Sequence, residues 1–293
     1  MRILLLGKNG QVGWELQRTL APLGEVVATG REEIDLSQPE QLRSVVRHLQ
    51  PQVIVNGAAY TNVDHAESEP DLAMAINGVA PGILADEARQ LGAALIHFST
   101  DYVFDGRKGE PYVETDAPNP LNVYGASKLA GERAIQAVEG AYLILRTSWV
   151  YSLRRDCFVT KVLGWAREKD TLRVVNDQIG SPTWARMLAV TAALLLSKSH
   201  EDVCGWLREY HGLYHLCGKG AASRWEWARE ILELDGQSGR VIEPASTAEF
   251  PRSARRPAFS ALDCRRLGDT FQLRAIPWQA SLHWAIADAC YSH

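Results

Sequence analysis

The sequence predicts an α/β fold, a doubly wound parallel sheet of the Rossmann type with a smaller, loop-rich C-terminal unit. Three observations carry this reading. Short apolar runs alternate with helix-periodic segments through the first half. Gly7, Gly10 and Gly13 stand between the first apolar run and the first helical segment. Beyond about residue 150 the alternation loosens.

Ile3–Leu6 is a four-residue apolar run that ends in glycine, as a buried strand should. Val12–Leu20 has helical periodicity. Glu25–Thr29 reads as the second strand, and Pro39–Leu49 as a helix with proline at its start. Val53–Asn56 is a third strand, Asp71–Leu91 one long helix and Ala94–Ser99 a fourth strand. Lys128 lies in a helix running to about Val138, and Tyr142–Arg146 is a fifth strand. Repeated strand–helix units with short apolar strands place helices on both faces of a parallel sheet. In the second half Phe158–Glu168, Trp184–Leu196 and Ser223–Leu234 read as helices, with Leu172–Val175 and Leu213–Leu216 extended. Val241–Pro257, with three prolines and little periodicity, reads as loop. The expected division is 1–150 as a dinucleotide-binding domain and 151–293 mainly as a substrate domain, with segments returning to the sheet.

Composition narrows the function. The chain has 293 residues, 46% hydrophobic and 23% charged, with net charge -4. No basic excess points to nucleic acid. The apolar run Met187–Leu196 is about half of the ~20 residues a membrane span needs, so no membrane partner is expected. No signal-peptide core precedes Gly7, and the expected compartment is the cytoplasm. The five cysteines, Cys157, Cys204, Cys217, Cys264 and Cys290, form no Cys-x-x-Cys pair and read as reduced, structural thiols.

Gly7-Lys8-Asn9-Gly10-Gln11-Val12-Gly13 follows a strand and opens a helix. Glycines there let the backbone approach a pyrophosphate whose charge sits on the helix N-terminus. Gly7, Gly10, Gln11, Val12 and Gly13 are therefore cofactor candidates. The second strand ends near Gly30-Arg31. An acid at that end would favour a free ribose hydroxyl, whereas Gly30 is uncharged and Arg31 can meet a 2′-phosphate. This leans toward NADPH, with NADH the alternative because Glu32 and Glu33 lie close by. Asp35 and Leu36 are placed at the adenine pocket. Ala58, Ala59, Tyr60 and Thr61 follow the third strand at its carboxyl end, where such folds bind ligands.

Tyr124 and Lys128 stand at i, i+4 and share one helix face. A phenol titrates near 10, and a neighbouring ammonium would draw it toward working pH. Thr100 and Asp101 lie just beyond the fourth strand on the same ligand-binding edge. A hydroxyl there can hold a carbonyl oxygen beside the phenol. The combination reads as hydride transfer, with Tyr124 as proton donor, Lys128 as its helper and a cofactor-ribose contact, and Thr100 on the substrate oxygen.

These residues resemble the extended short-chain dehydrogenase/reductase superfamily and, within it, are similar to the dTDP-4-dehydrorhamnose reductase family. The resemblance runs through Gly7–Leu16, Ala58–Ala66, Ser99–Phe104, Pro120–Gly125 and Arg146–Tyr151. It continues in Asn176–Gln178, Pro182-Thr183 and Ala254–Pro257. It implies reduction of the 4-keto group of dTDP-4-dehydro-6-deoxy-L-mannose to dTDP-L-rhamnose. It also implies a sugar nucleotide held by the second domain, with Thr100, Asp101, Tyr102 and Trp149 on the substrate and Arg255 or Arg256 on its diphosphate. Some members are dimers with a metal held by acids at the interface. Glu15 matches one such position, but Arg186 replaces another, so no metal is expected and homodimerisation stays open. Two alternatives remain. One is a non-catalytic, NADP-binding regulatory subunit of the same fold. The other is a different sugar-nucleotide reductase or epimerase. A dehydratase is disfavoured, because Tyr102 follows Asp101 where an acid would be needed.

Overall fold

The computed structural model describes residues 1–199 and 202–290, with side chains to residue 288. The first half builds β1 (Arg2–Leu6), α1 (Gln11–Leu20), β2 (Glu25–Thr29), α2 (Pro39–Leu49), β3 (Val53–Asn56), α3 (Val63–Ala66), α4 (Pro70–Met74), α5 (Ala80–Leu91), β4 (Ala94–Thr100), α6 (Val123–Gln136) and β5 (Ala141–Thr147). The second half adds β6 (Val150–Tyr151), α7 (Phe158–Glu168), β7 (Thr171–Val175), β8 (Ile179–Gly180), β9 (Thr183–Trp184), α8 (Ala185–Ser197), α9 (Val203–Glu209), β10 (Gly212–His215), β11 (Ala222–Ser223), α10 (Arg224–Leu234), β12 (Val241–Ala245), α11 (Arg265–Phe271) and α12 (Trp278–Cys290).

The main sheet has six parallel strands in the order β2-β1-β3-β4-β5-β10. The sixth strand comes from the second half, where Leu213–Leu216 reads as extended. The chain leaves β1 outward to β2, then returns across β1 to β3. That reversal leaves a crevice beyond the carboxyl ends of β1 and β3, where ligands bind in such sheets.

Strand alternation sorts the core into two layers. Ile3 and Leu5 of β1 pack with α1, α8 and α9, whereas Leu4 and Leu6 pack with α2 and α5. The same alternation continues in β4, where Ala94, Ile96 and Phe98 join the first layer and Leu95 the second. Polar residues then interrupt the second face: His97 and Ser99 of β4 and Arg146 of β5 are all buried. Their partners are Lys128 and Glu132, one turn apart on α6.

Two expectations change. The stretch read as one helix over Asp71–Leu91 is α4, a wide π-turn at Ala75–Val79, and α5. Ala80 N–H bonds back to Ala75 O, five residues away. Pro81 has no N–H to give to the turn before it, and the wider turn accommodates this. Within the segment read as loop, Val241–Ala245 forms β12, paired in parallel with β7. This two-stranded ribbon is all edge, so Pro244 breaks no central ladder.

A third core cluster lies under the second half, around Trp227, Tyr151, Leu232 and Leu282. Cys157, Cys204, Cys217 and Cys264 are free thiols, and the Cys290 side chain lies outside the described residues. Among the described residues no helix is long and apolar enough to cross a membrane.

Candidate active site

The crevice at the strand reversal is shaped by glycine. Gly7 has φ +89°, and a Cβ there would stand 2.8 Å from Ala58 N. A Cβ on Gly13 would stand 1.9 Å from Gly7 O, so only glycine lets α1 start this close to the turn. The turn is tied to β2 by Gly7 N–H and Lys8 N–H, which both donate to Thr29 O, at 2.9 and 3.0 Å. Gly10 caps α1 with no side-chain acceptor, and the first turn holds no acid. The N–H groups there are left for an anion. Gln11 Oε1 is buried without a hydrogen-bond partner. A group carrying both a diphosphate and donor functions fits this cradle.

A cavity of about 290 Å3 opens here. Gly7, Gly10, Gly30, Arg31, Asp35, Leu36, Ala58, Ala59 and Tyr60 line it. Val12 and Gly13 lie behind the cradle in α1, and Thr61 is exposed just past Tyr60. Ile34 and Ile76, which sequence reasoning did not single out, also line the cavity. Glu33 is tied down at the end of β2. Its carboxylate accepts Gly30 N–H at 2.8 Å and pairs with Lys8, which holds it below the usual carboxylate range. Arg31 stands exposed on the rim. The Tyr60 loop is pinned by Asn77, whose Oδ1 accepts Tyr60 N–H at 2.9 Å and whose Nδ2 donates to Tyr60 O at 3.0 Å.

The reacting centre is assembled by close approach of α6. A Cβ on Gly125 would lie 2.1 Å from Tyr102 O, so glycine after Tyr124 brings the first turn of α6 against the turn that follows β4. Asn122 caps that helix by accepting Gly125 N–H at 2.8 Å. The result is that Tyr124 stands beside Thr100, whose hydroxyl donates to Asp101 Oδ1 at 3.2 Å. The Tyr124 ring meets the Tyr102 ring edge-on at 5.9 Å. Asp101 is buried; its carboxylate accepts from Ser260 Oγ at 2.6 Å, Ser148 Oγ at 2.9 Å and Thr100 Oγ1 at 3.2 Å. Burial nevertheless pushes this carboxyl up to about 6.

The electrostatics differ from the sequence-based expectation in one respect. Burial pushes the Tyr124 phenol above its ordinary value, with the Thr100 hydroxyl pulling against it and Asp101 adding to it. Lys128 does not draw it down, because its amine is turned inward, 2.7 Å from Phe98 O and 3.1 Å from His97 Nε2. Burial draws the lysine down to about 8, against the upward pull of Glu132. A phenol with a raised pKa stays protonated at neutral pH, the form that gives a proton.

On the second-half side, Trp149 adopts φ 45° and stacks on Trp227 at 5.7 Å. Gly180 leaves room for it, since a Cβ there would stand 2.3 Å from the indole. Arg224 at the start of α10 lies over the indole, 3.5 Å from its ring centroid and 5.5 Å from that of Trp227, beside Tyr102. Burial lowers its guanidinium to about 10, and the described residues give it no ion-pair partner. Sequence reasoning missed Arg224. The arginines it named are placed differently. Arg256 forms a two-pronged pair with Asp64, at 2.8 and 2.9 Å, and touches Tyr102, whereas Arg255 is exposed. Glu15 and Arg186 do come together within one chain, at 3.2 Å, and Asp288 pairs with the same arginine at 2.6 Å.

The family model for the RmlD substrate binding domain matches residues 1–290. The chain belongs to this family. It is 41% identical to a dTDP-4-dehydrorhamnose reductase of Burkholderia thailandensis, covering 98% of this chain and 99% of the relative. It is 42% identical to the dTDP-4-dehydrorhamnose reductase of Escherichia coli K12, covering 96% of both. The crystal structure of dTDP-4-dehydrorhamnose reductase from Bacillus anthracis in complex with NADP superimposes with a TM-score of 0.90, at 35% identity, over 98% of this chain and 99% of that one. Family membership and the parallel α/β sheet thus agree with the sequence reading.

Proposed function

We propose that the chain is an NADPH-dependent reductase that converts the 4-keto group of dTDP-4-dehydro-6-deoxy-L-mannose to the alcohol of dTDP-L-rhamnose. The observation that carries this is the placement of Tyr124 beside Thr100 at the carboxyl edge of the sheet, next to a glycine cradle shaped for a dinucleotide. The reduced nicotinamide cofactor, when bound, supplies the hydride. Gly7, Gly10, Gln11, Val12 and Gly13 would hold its diphosphate, with Ala58, Ala59, Tyr60 and Thr61 along the crevice. Asp35 and Leu36 would flank the adenine, and Gly30 and Arg31 would face the ribose phosphate. Lys128 would present its remaining N–H to the nicotinamide ribose. Tyr124 gives its proton to the C4 oxygen as the carbon is reduced, and Thr100 orients that oxygen. Trp149 and Tyr102 would pack the sugar. Arg224, a desolvated cation with no carboxylate, is better placed than Arg255 for the diphosphate. The setting is the cytoplasm, and a homodimer is part of this reading by resemblance alone. Product analysis by NMR tests it: dTDP-L-rhamnose should appear, and recovery of unreduced keto sugar would sink the reading.

Two smaller effects follow. Arg31→Ala should weaken NADPH binding more than NADH binding; equal loss for both would show that Arg31 does not read the 2′-phosphate. Among the described residues no cluster of His, Cys, Asp and Glu could hold a metal ion, and Arg186 already neutralises Glu15. Dialysis against a chelator should therefore leave NADPH oxidation unchanged. Activity lost to chelator and restored by magnesium would contradict this.

A further inference from the structure

Behind Lys128 runs a buried polar chain that the reaction as described does not use. Ala58 N–H donates to Asn56 Oδ1 at 3.1 Å. Asn56 Nδ2 stands 3.1 Å from His97 Nδ1, and His97 Nε2 stands 3.1 Å from Lys128 Nζ. Lys128 Nζ then donates to Phe98 O at 2.7 Å. Asn56, His97 and Lys128 are each only 1% exposed, so water cannot repair a mismatched contact.

The hydrogens can be counted. Ala58 N–H fixes Oδ1 of Asn56 as the acceptor, so Nδ2 must be the group that faces His97. Nδ2 only donates, so His97 Nδ1 must be bare. A neutral imidazole with Nδ1 bare carries its hydrogen on Nε2, and that hydrogen points at Lys128. An ammonium there would set N–H against N–H. A neutral amine accepts the hydrogen, donates once to Phe98 O and keeps one N–H for the cleft. We propose that His97 is a positioning residue, held by Asn56 as the Nε2–H tautomer, which donates to Lys128 and biases it toward the neutral amine in the ligand-free chain.

The surroundings agree. Burial holds His97 well below its ordinary value, so the imidazole stays neutral and carries a single hydrogen. The other groups facing Lys128 are Glu132 and Tyr124, one turn to either side on α6. Glu132 is neutralised by Arg146 of β5, at 2.6 Å. Tyr124 is uncharged in the resting site. Glu132 still pulls the lysine upward, and the demand for an ammonium grows once Tyr124 has given up its proton and a phenolate has formed.

The test is spectroscopic and needs no substrate. Long-range 1H–15N spectra of the ligand-free, full-length protein with labelled histidine should show one imidazole, absent from the His97→Gln spectrum, with Nε2 protonated and Nδ1 bare. A His97 protonated on Nδ1, or on both nitrogens, would overturn the proposal. Asn56→Asp supplies the opposite signal, because a carboxylate accepts from Nδ1–H. It should reverse the tautomer and raise the Lys128 titration, followed by the 13Cε resonance, by about one pH unit or more. A reversed tautomer with an unmoved lysine would sever His97 from Lys128. If Asn56→Asp does not fold, the wild-type spectrum still decides. The kinetic consequence, a pH profile of kcat that moves with the lysine resonance, rests on the reductase reading. The spectra do not, so failure of either is seen separately.

Discussion

Tyr124→Phe is expected to lower turnover by at least ~10²-fold, the usual scale for a positioned acid, with cofactor binding intact. The substitution keeps the ring and its edge-on contact with Tyr102, 5.9 Å away, and removes only the hydroxyl beside Thr100. The cradle at Gly7, Gly10 and Gly13 lies on other elements and is untouched. A pre-steady-state measurement of NADPH binding alongside steady-state turnover separates the two effects. Turnover close to wild type would remove Tyr124 from the proton transfer. Loss of cofactor binding instead would mean that the ring, not the hydroxyl, matters.

The second large effect is on stability. Glu132→Ala should cost about 3–5 kcal/mol, the range for stripping one partner from a buried ion pair. Glu132 and Arg146 are 1% and 3% exposed and meet through two bonds, at 2.8 and 2.6 Å. Ser99 Oγ adds a third bond to the same carboxylate at 2.5 Å. Removing Glu132 leaves the guanidinium buried over the Phe104 ring with its charge uncompensated. A Glu132→Leu/Arg146→Met double variant removes both charges and should recover much of the loss. Urea denaturation of single and double variants measures this. A single variant within about 1 kcal/mol of wild type, the ordinary scale of a surface change, would show that the pair is not desolvated in solution.

What the sequence discloses and what it hides have physical reasons. β1 and β3 are legible because strands buried on both faces must be short and almost wholly apolar. The cradle is legible because Gly7 and Gly13 are demanded by backbone approach rather than by side-chain chemistry. Tyr124 and Lys128 are legible because they share one helix. Their partners are not. His97 reaches Lys128 from β4, and Glu132 on the same helix is engaged by Arg146 of β5; no local spacing announces either contact. The raised phenol of Tyr124 depends on burial and on where the lysine amine points, neither of which a spacing of four residues contains. Arg224 reaches Tyr102 and Trp149 only after the chain has folded back through β8 and β11. β12 was hidden by Pro244, which argues against a strand except at an edge. The π-turn at Ala75–Val79 follows a five-residue hydrogen-bond step that leaves no clear mark on apolar periodicity.

One measurement tests the central claim most directly: the fall in absorbance as NADPH is oxidised by the purified chain with dTDP-4-dehydro-6-deoxy-L-mannose. The account predicts steady oxidation that depends on both the enzyme and the sugar nucleotide and is nearly abolished in Tyr124→Phe. Cofactor that binds the wild-type chain but is not oxidised when the keto sugar is present would contradict it, and would favour a non-catalytic, cofactor-binding subunit.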